Sequence, residues 1–243
     1  MRHLHHMRDC PVASVTQFRP PAKEPNGYRM VARAGRGEIY LYGVIGQDFW
    51  GEGVSASQFA KDLKALGKVS AIDLRINSDG GSVTEAESMY THLVEHEARV
   101  TVHIDGLAAS AASFIAMAGD EILVSDGAFV MIHEARMMSY GTANDFRRGA
   151  DLLDKVNDRL VAKYAARTKQ PDKQLRDWMA AETWFTGAEA VKHGFADKLA
   201  ADLKVAACVQ KPERFTNLPA ALDPKRQRVA AAMARIRACA KKT

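Results

Sequence analysis

Residues 100–133 read VTVHIDGLAASAASFIAMAGDEILVSDGAFVMIH, and this stretch decides the architecture of the chain. A short apolar strand over 100–104 is followed by a predicted tight turn at Asp105 and Gly106. A helix of small and apolar residues carrying Ser110 comes next, then a second strand that ends on His133. A serine at the first turn of a helix lies near backbone N–H groups that no intrahelical acceptor uses, so charge developing on a substrate carbonyl is stabilised there. Ala108, Ala109, Ala111 and Ala112 leave Ser110 with little steric cover, and Gly106 permits a turn that a side chain would hinder. Taken alone, the same Ala/Ser-rich helix equally describes close packing of a helix on a sheet.

A second stretch separates those readings. Residues 71–77 (AIDLRIN) form a strand pattern that runs into Ser78, Asp79, Gly80, Gly81 and Ser82, with a helical stretch over 84–96 behind it. Adjacent glycines free their N–H groups to point at a ligand. The order strand, Gly-Gly, helix, strand, small-residue turn, serine helix resembles the proteolytic subunit of Clp protease (ClpP), a branch of the crotonase-like folds. Two patterns of that family, Asn-Ser-x-Gly-Gly and Gly-x-Ala-Ala-Ser, stand here at 77–81 and 106–110. The resemblance spans roughly 37–199 and implies an α/β fold of repeated β-α-β units with a long handle helix. It makes Ser110 the nucleophile, His133 the general base, and the backbone N–H groups of Gly81 and Ala111 the oxyanion hole. The family's third catalytic residue is an aspartate; the matching position here holds Glu182, one methylene longer, with Asp177 close by as an alternative. Ser113 lies on nearly the same helical face as Ser110, but the motif selects Ser110.

The resemblance also implies a serine endopeptidase that acts on peptides and proteins, uses no cofactor and assembles into rings of seven or pairs of such rings. The segment Glu182-Thr183-Trp184-Phe185-Thr186 and the short spacing from Ser110 to His133 look most like the phage head maturation (prohead) branch, whose substrates are scaffold and capsid proteins. A Clp subunit driven by an ATP-dependent unfoldase is the alternative. A crotonase-like CoA-binding enzyme or a catalytically silent assembly module is a reading of another class, and it leaves the pairing of Ser110 with His133 without a purpose. The expected location is the cytoplasm or the interior of a procapsid.

Composition agrees with one sizeable domain plus extensions. The 243 residues are 47% hydrophobic and 26% charged, ordinary for a globular protein. Thirty-four basic against 29 acidic residues give a net charge of +5. Much of the excess sits toward the ends (Arg2, His3, His5, His6, Arg8 and 225–242) rather than in a basic patch interleaved with aromatics, so nucleic acid is not the expected partner. Cys10, Cys208 and Cys239 are odd in number and lack metal-ligand spacing, which argues against a disulfide framework or a zinc site. No apolar run of about 18 residues suggests a membrane span or an ordinary signal peptide.

The expected divisions are an extended or disordered arm over 1–36, the protease domain over 37–200 and a basic extension over 201–243. Within the domain, 38–45 alternates as a strand, and Ser55 or Ser57 caps a helix through Leu66 whose stripe is Phe59, Leu63 and Leu66. Strands over 121–124 and 128–132 follow. Thr142 or Asn144 caps a long helix to Ala166 with Phe146, Gly149, Leu153, Val156, Leu160 and Tyr164 at helical spacing. That stripe either packs on its own domain or meets another subunit. A further helix is predicted over 172–180, an irregular stretch with two prolines over 209–220, and a basic helix over 223–242. His92 and His96 read as rim residues and His103 as a structural one.

Overall fold

The computed structural model describes residues 27–47, 53–200, 209 and 211–223. Strands β1 (Tyr28–Arg33), β2 (Arg36–Leu41), β3 (Ala71–Ser78), β4 (Arg99–Ala109) and β5 (Glu121–Ser125) build most of one sheet, completed at its far edge by β8 (Lys198–Ala200). From β2 to β8 the pairing is parallel, and β1 lies antiparallel at the near edge. Strand β6 (Phe129–Ile132) pairs with the second half of β4, and β7 (Thr183–Thr186) lies antiparallel to β6. The connections β2-α1-β3 and β3-α2-β4, through α1 (Ala56–Ala65) and α2 (Val83–Val94), are the crossovers that parallel neighbours require.

Alternation in β3 sends Ile72, Leu74 and Ile76 into the core and leaves Asp73, Arg75 and Asn77 half-buried on the opposite face. The apolar set joins Ile39 and Leu41 of β2, Val100, Val102 and Ile104 of β4, and Phe59, Leu63, Met89 and Leu93 from the helices. Each fully buried side chain of this size contributes about 1.5–3 kcal/mol. Ser55 caps α1 by accepting from the Gln58 N–H at 3.2 Å, so Ser55 rather than Ser57 begins that helix. On the opposite face, Tyr42 and Arg75 both donate to the buried Asp105 carboxylate. His103 meets Asp73 at 3.3 Å, in keeping with a structural role.

Two local expectations are corrected. The chain does not turn at Asp105 and Gly106: β4 continues to Ala109, with a register shift against β3 between Ile76 and Ser78. The reason is a change of partner. Residues up to Ile104 pair with β5, whereas Leu107, Ala108 and Ala109 pair with β6, and the buried Asp105 side chain is anchored between the two halves. Likewise, the extended arm expected up to residue 36 is a paired strand from Tyr28 onward, because its carbonyl and N–H groups close the β2 edge. The remainder of that arm, residues 48–52 and the basic helix expected beyond 223 lie outside the described residues.

The long helix α4 (Ala143–Thr168) begins with a capping box between Thr142 and Asp145. Its stripe divides. Leu160 and Tyr164, with Val161 beside them, are buried against the domain, while Phe146 near its start is exposed. Among the described residues, no helix is long and apolar enough to cross a membrane.

Candidate active site

The site lies where β3 and β4 end, the position at which parallel sheets place their ligand clefts. After β3 the chain passes through Asp79, Gly80 and Gly81 into α2; after β4 it passes through Ser110 into the short helix α3 (Ala111–Ala116). Ser110 has φ +55° and ψ −123°, a conformation that costs an L residue about 1–3 kcal/mol. The neighbours hold it there. The Ser110 N–H donates to the Met131 carbonyl at 2.9 Å, and the Ser110 carbonyl accepts from the N–H groups of Ser113 and Phe114. Gly80 presses against this turn: a Cβ on it would lie 2.5 Å from the Ala109 carbonyl oxygen and 2.9 Å from the Ala111 nitrogen. Gly81, at φ +157°, closes on the chain so tightly that a Cβ would stand 2.0 Å from the Ile45 carbonyl oxygen.

This strained turn leaves Ser110 Oγ half-exposed and facing His133, whose Nε2 lies 2.7 Å away. His133 sits immediately after β6, and β6 pairs with β4 just before Ser110, so two neighbouring strands deliver the hydroxyl and the imidazole to one point. For Ser110 to donate to Nε2, the neutral ring carries its proton on Nδ1. That nitrogen is buried and has no hydrogen-bond partner among the described residues. Burial, and then the positive charge of Arg136, pull the imidazole down to about 4, against a raising effect from Glu182. The ring is therefore neutral, and able to take a proton, at neutral pH.

The N–H groups of Gly81 and Ala111 border the same turn, and neither finds an acceptor among the described residues. The Ser110 N–H does not join them, being taken by Met131. Ser113 is turned inward, donating to the Ser110 carbonyl at 2.7 Å and meeting the Tyr164 hydroxyl at 2.9 Å, both in the buried interior. It braces the turn and does not face the cleft. The cleft itself, about 260 Å³, is walled by Val83, Ala86, Phe114, Leu160 and Tyr164, with Asp79 and Arg136 at its polar rim.

Glu182 is placed differently. It is nearly buried, with φ +49°, just before β7. One carboxylate oxygen accepts from Arg136 Nη2 at 2.6 Å and the other from the Asn217 N–H at 2.7 Å. Burial would raise its pKa, but backbone N–H groups of Thr216 and Asn217 and the Arg136 guanidinium outweigh that and hold the carboxyl below the usual range. In this arrangement no hydrogen bond joins Glu182 to the His133 ring. Asp177 lies on the outer face of α5 (Asp172–Ala180), more than half exposed and paired with Lys173, and it takes no part in the cleft. Arg136, Arg214 and Phe215 also line the site. Arg136 falls in the 134–141 segment that the family resemblance places beside bound peptide, whereas sequence reasoning passed over Arg214 and Phe215 because nothing in their local pattern points to a cleft; only the fold brings residue 214 to residue 136. Among the described residues no three His, Cys, Asp or Glu side chains gather as a metal site.

A hydroxyl on a neutral imidazole, beside two unengaged N–H groups in a cleft of about 260 Å³, can carry out acyl transfer. Comparison with known proteins agrees with that chemistry. The Clp protease family model matches residues 39–202, and the chain belongs to this family of serine-type peptidases. The ATP-dependent Clp protease proteolytic subunit 2 of Thermobifida fusca is 33% identical over 141 residues, 56% of this chain and 68% of the relative. The corresponding subunit 2 of Tropheryma whipplei is 33% identical over 132 residues, 53% of this chain and 72% of the relative. The subunit 1 of Prochlorococcus marinus is 27% identical over 183 residues, 70% of this chain and 93% of the relative.

Proposed function

We propose that the chain is a serine endopeptidase in which Ser110 attacks a peptide carbonyl and His133 takes the hydroxyl proton, then returns it to the leaving amine. The Gly81 and Ala111 N–H groups stabilise the oxyanion, and the acyl-enzyme is cleared by water. Glu182 is the carboxylate we assign to supporting the charged ring; its negative charge already favours imidazolium. The observation that carries this reading is the 2.7 Å approach of Ser110 Oγ to His133 Nε2. A fluorophosphonate probe tests it: labelling on Ser110, lost in Ser110→Ala, is the expected result, and labelling that persists in that variant contradicts it.

For the biological role, we propose a phage or prophage head maturation protease that cuts scaffold or capsid proteins, working as a homo-oligomeric ring in the cytoplasm or within a procapsid. Its support is the Glu-Thr-Trp-Phe-Thr segment and the close spacing of Ser110 and His133. Scaffold chains with extended segments need no prior unfolding. A second reading, the proteolytic component of an ATP-dependent protease, is favoured by the names of the relatives. Cleavage of a disordered chain and of neighbouring scaffold protein without ATP supports the first. Cleavage only when a Clp unfoldase and ATP are both present supports the second.

A further inference from the structure

One wall of the cleft is a piece of the chain itself. Arg214 and Phe215 line it, within a segment over 211–217 that makes a single 3₁₀ turn at Pro212–Arg214. The segment is anchored on both sides. Val209 and Leu222, 1% and 2% exposed, are buried against Leu107, Ala109 and Met131 of β4 and β6, and Phe215 packs edge-on against Trp184 of β7. Between these anchors its polar backbone is taken up by the residues that rim the site. The Lys211 N–H donates to the Asp79 carboxylate at 2.7 Å. The Arg214 carbonyl accepts from Arg136 Nη1 at 2.9 Å. The Asn217 N–H donates to Glu182, and the Asn217 side-chain amide donates to the Ala181 carbonyl. Pro212 and Pro219 stiffen the two shoulders.

We propose that this segment is a built-in ligand of the peptide cleft, an autoinhibitory strap that occupies substrate-binding positions and holds Glu182 away from His133. Asp79, Arg136 and Glu182 meet it mainly through main-chain groups, so they would meet a substrate peptide of many sequences in the same way. The strap is not itself presented for cleavage after Arg214, because that carbonyl is on the Arg136 guanidinium and not on the Gly81 and Ala111 N–H groups. Two features of the site then share one explanation. Both oxygens of Glu182 are engaged by Arg136 and the strap, and His133 Nδ1 is left buried without a partner. A buried donor without a partner is unfavourable, a cost that is removed when a freed carboxylate turns to it. The charges that bear on His133 are Arg136, Glu182 and the strap's own Arg214, so withdrawing the strap also removes one cation.

The inference rests on the reading of Ser110 and His133 as the reactive pair, and its test separates the two. In the full chain, Phe215→Ala combined with Asn217→Pro removes the Trp184 contact and the N–H donated to Glu182; either single variant serves if the double one fails to fold by circular dichroism. A tethered segment acts at an effective concentration on the order of millimolar, so a strap of about 100 µM intrinsic affinity leaves the cleft open roughly one time in ten. Fluorophosphonate labelling of Ser110 should therefore rise about tenfold in the variant, and its acid limb should move up toward the ordinary histidine range. A free peptide of residues 211–223 should return labelling to the parent rate. A folded variant that labels no faster, and that the peptide does not slow, overturns the strap. Peptide binding is scored independently by anisotropy of a fluorescein-tagged copy. If Ser110 never labels in any form yet the tagged peptide binds saturably, the strap stands and the peptidase reading of the pair falls. If neither labelling nor binding is seen, both fall.

Discussion

Ser110 with His133, and Glu182 with its partners, are two halves of one site built in opposite ways. The first pair is delivered by adjacent strands, β4 and β6, and fixed by backbone hydrogen bonds within 25 residues of sequence: the Ser110 N–H on Met131, and the Ser113 and Phe114 N–H groups on the Ser110 carbonyl. Glu182 is fixed by side chains and by a segment 35 residues further on, through Arg136 and the Asn217 N–H. Backbone pairing in a core sheet opens only with global unfolding, whereas a strap held by a few rim contacts opens locally. In the proposed mechanism one half is therefore a rigid reaction centre and the other an adjustable one.

The largest effect that would sharpen this contrast is expected in the rigid half. Ser110→Ala and His133→Ala should each lower peptide turnover by about 10⁴–10⁶, with thermal melting little changed, since neither removal opens an apolar cavity. If turnover by either variant stayed within tenfold of the parent, the chemistry would lie elsewhere. Gly81→Ala should cost fold as well as activity. Its Cβ would meet the Ile45 carbonyl oxygen at 2.0 Å, so Ile45, or the turn that carries the proposed oxyanion donor, must move, and a loss of about 2–4 kcal/mol in denaturant unfolding is expected.

In the adjustable half the effects are smaller and depend on the strap. Glu182→Gln in the otherwise unaltered chain should cost less than about tenfold in turnover, because the loss of support for His133 is partly offset by a looser strap, but about 1–2 kcal/mol of stability as charged hydrogen bonds become neutral ones. The same change in the strap-weakened variant should cut turnover much more deeply. Equal losses in the two backgrounds would break the contrast. Asp177→Asn should leave turnover unchanged and stability within about 0.5 kcal/mol, since its pair with Lys173 is exposed.

The legibility of the molecule followed the same division. Strand alternation in AIDLRIN, the Gly-Gly turn and the small-residue helix are local patterns, and they place β3, β4, Gly81, Ala111 and Ser110 where the fold has them. The continuation of β4 through Asp105 and Gly106 was hidden because it depends on β4 exchanging β5 for β6 as a partner, a tertiary event with no signature at the glycine itself. The engagement of Glu182 by Arg136, Thr216 and Asn217 was hidden for the same reason. So was the seating of Arg214 and Phe215 in the cleft, where an irregular stretch with two prolines reads locally as a mere connection.

The measurement that bears most directly on the account is the pH dependence of fluorophosphonate labelling at Ser110 in the unaltered chain. His133 serves as base only when neutral, and its folded-state pKa is lowered to about 4. Labelling goes through the open form, where protonation of His133 competes with closure of the strap over the neutral ring, so it should hold its neutral-pH rate down through pH 6.5 and fall below that, between 6.5 and about 4. The sign of the linkage is fixed by the same shift. The unfolded ring binds its proton at the ordinary histidine value and the folded ring does not, so stability should decline as pH falls from 6.5 toward 4 and gain no further penalty from His133 below that. An acid limb centred near 6.5 would contradict the account, because it would mean that His133 in the working site already has a partner at Nδ1 and that Glu182 is not held away from it.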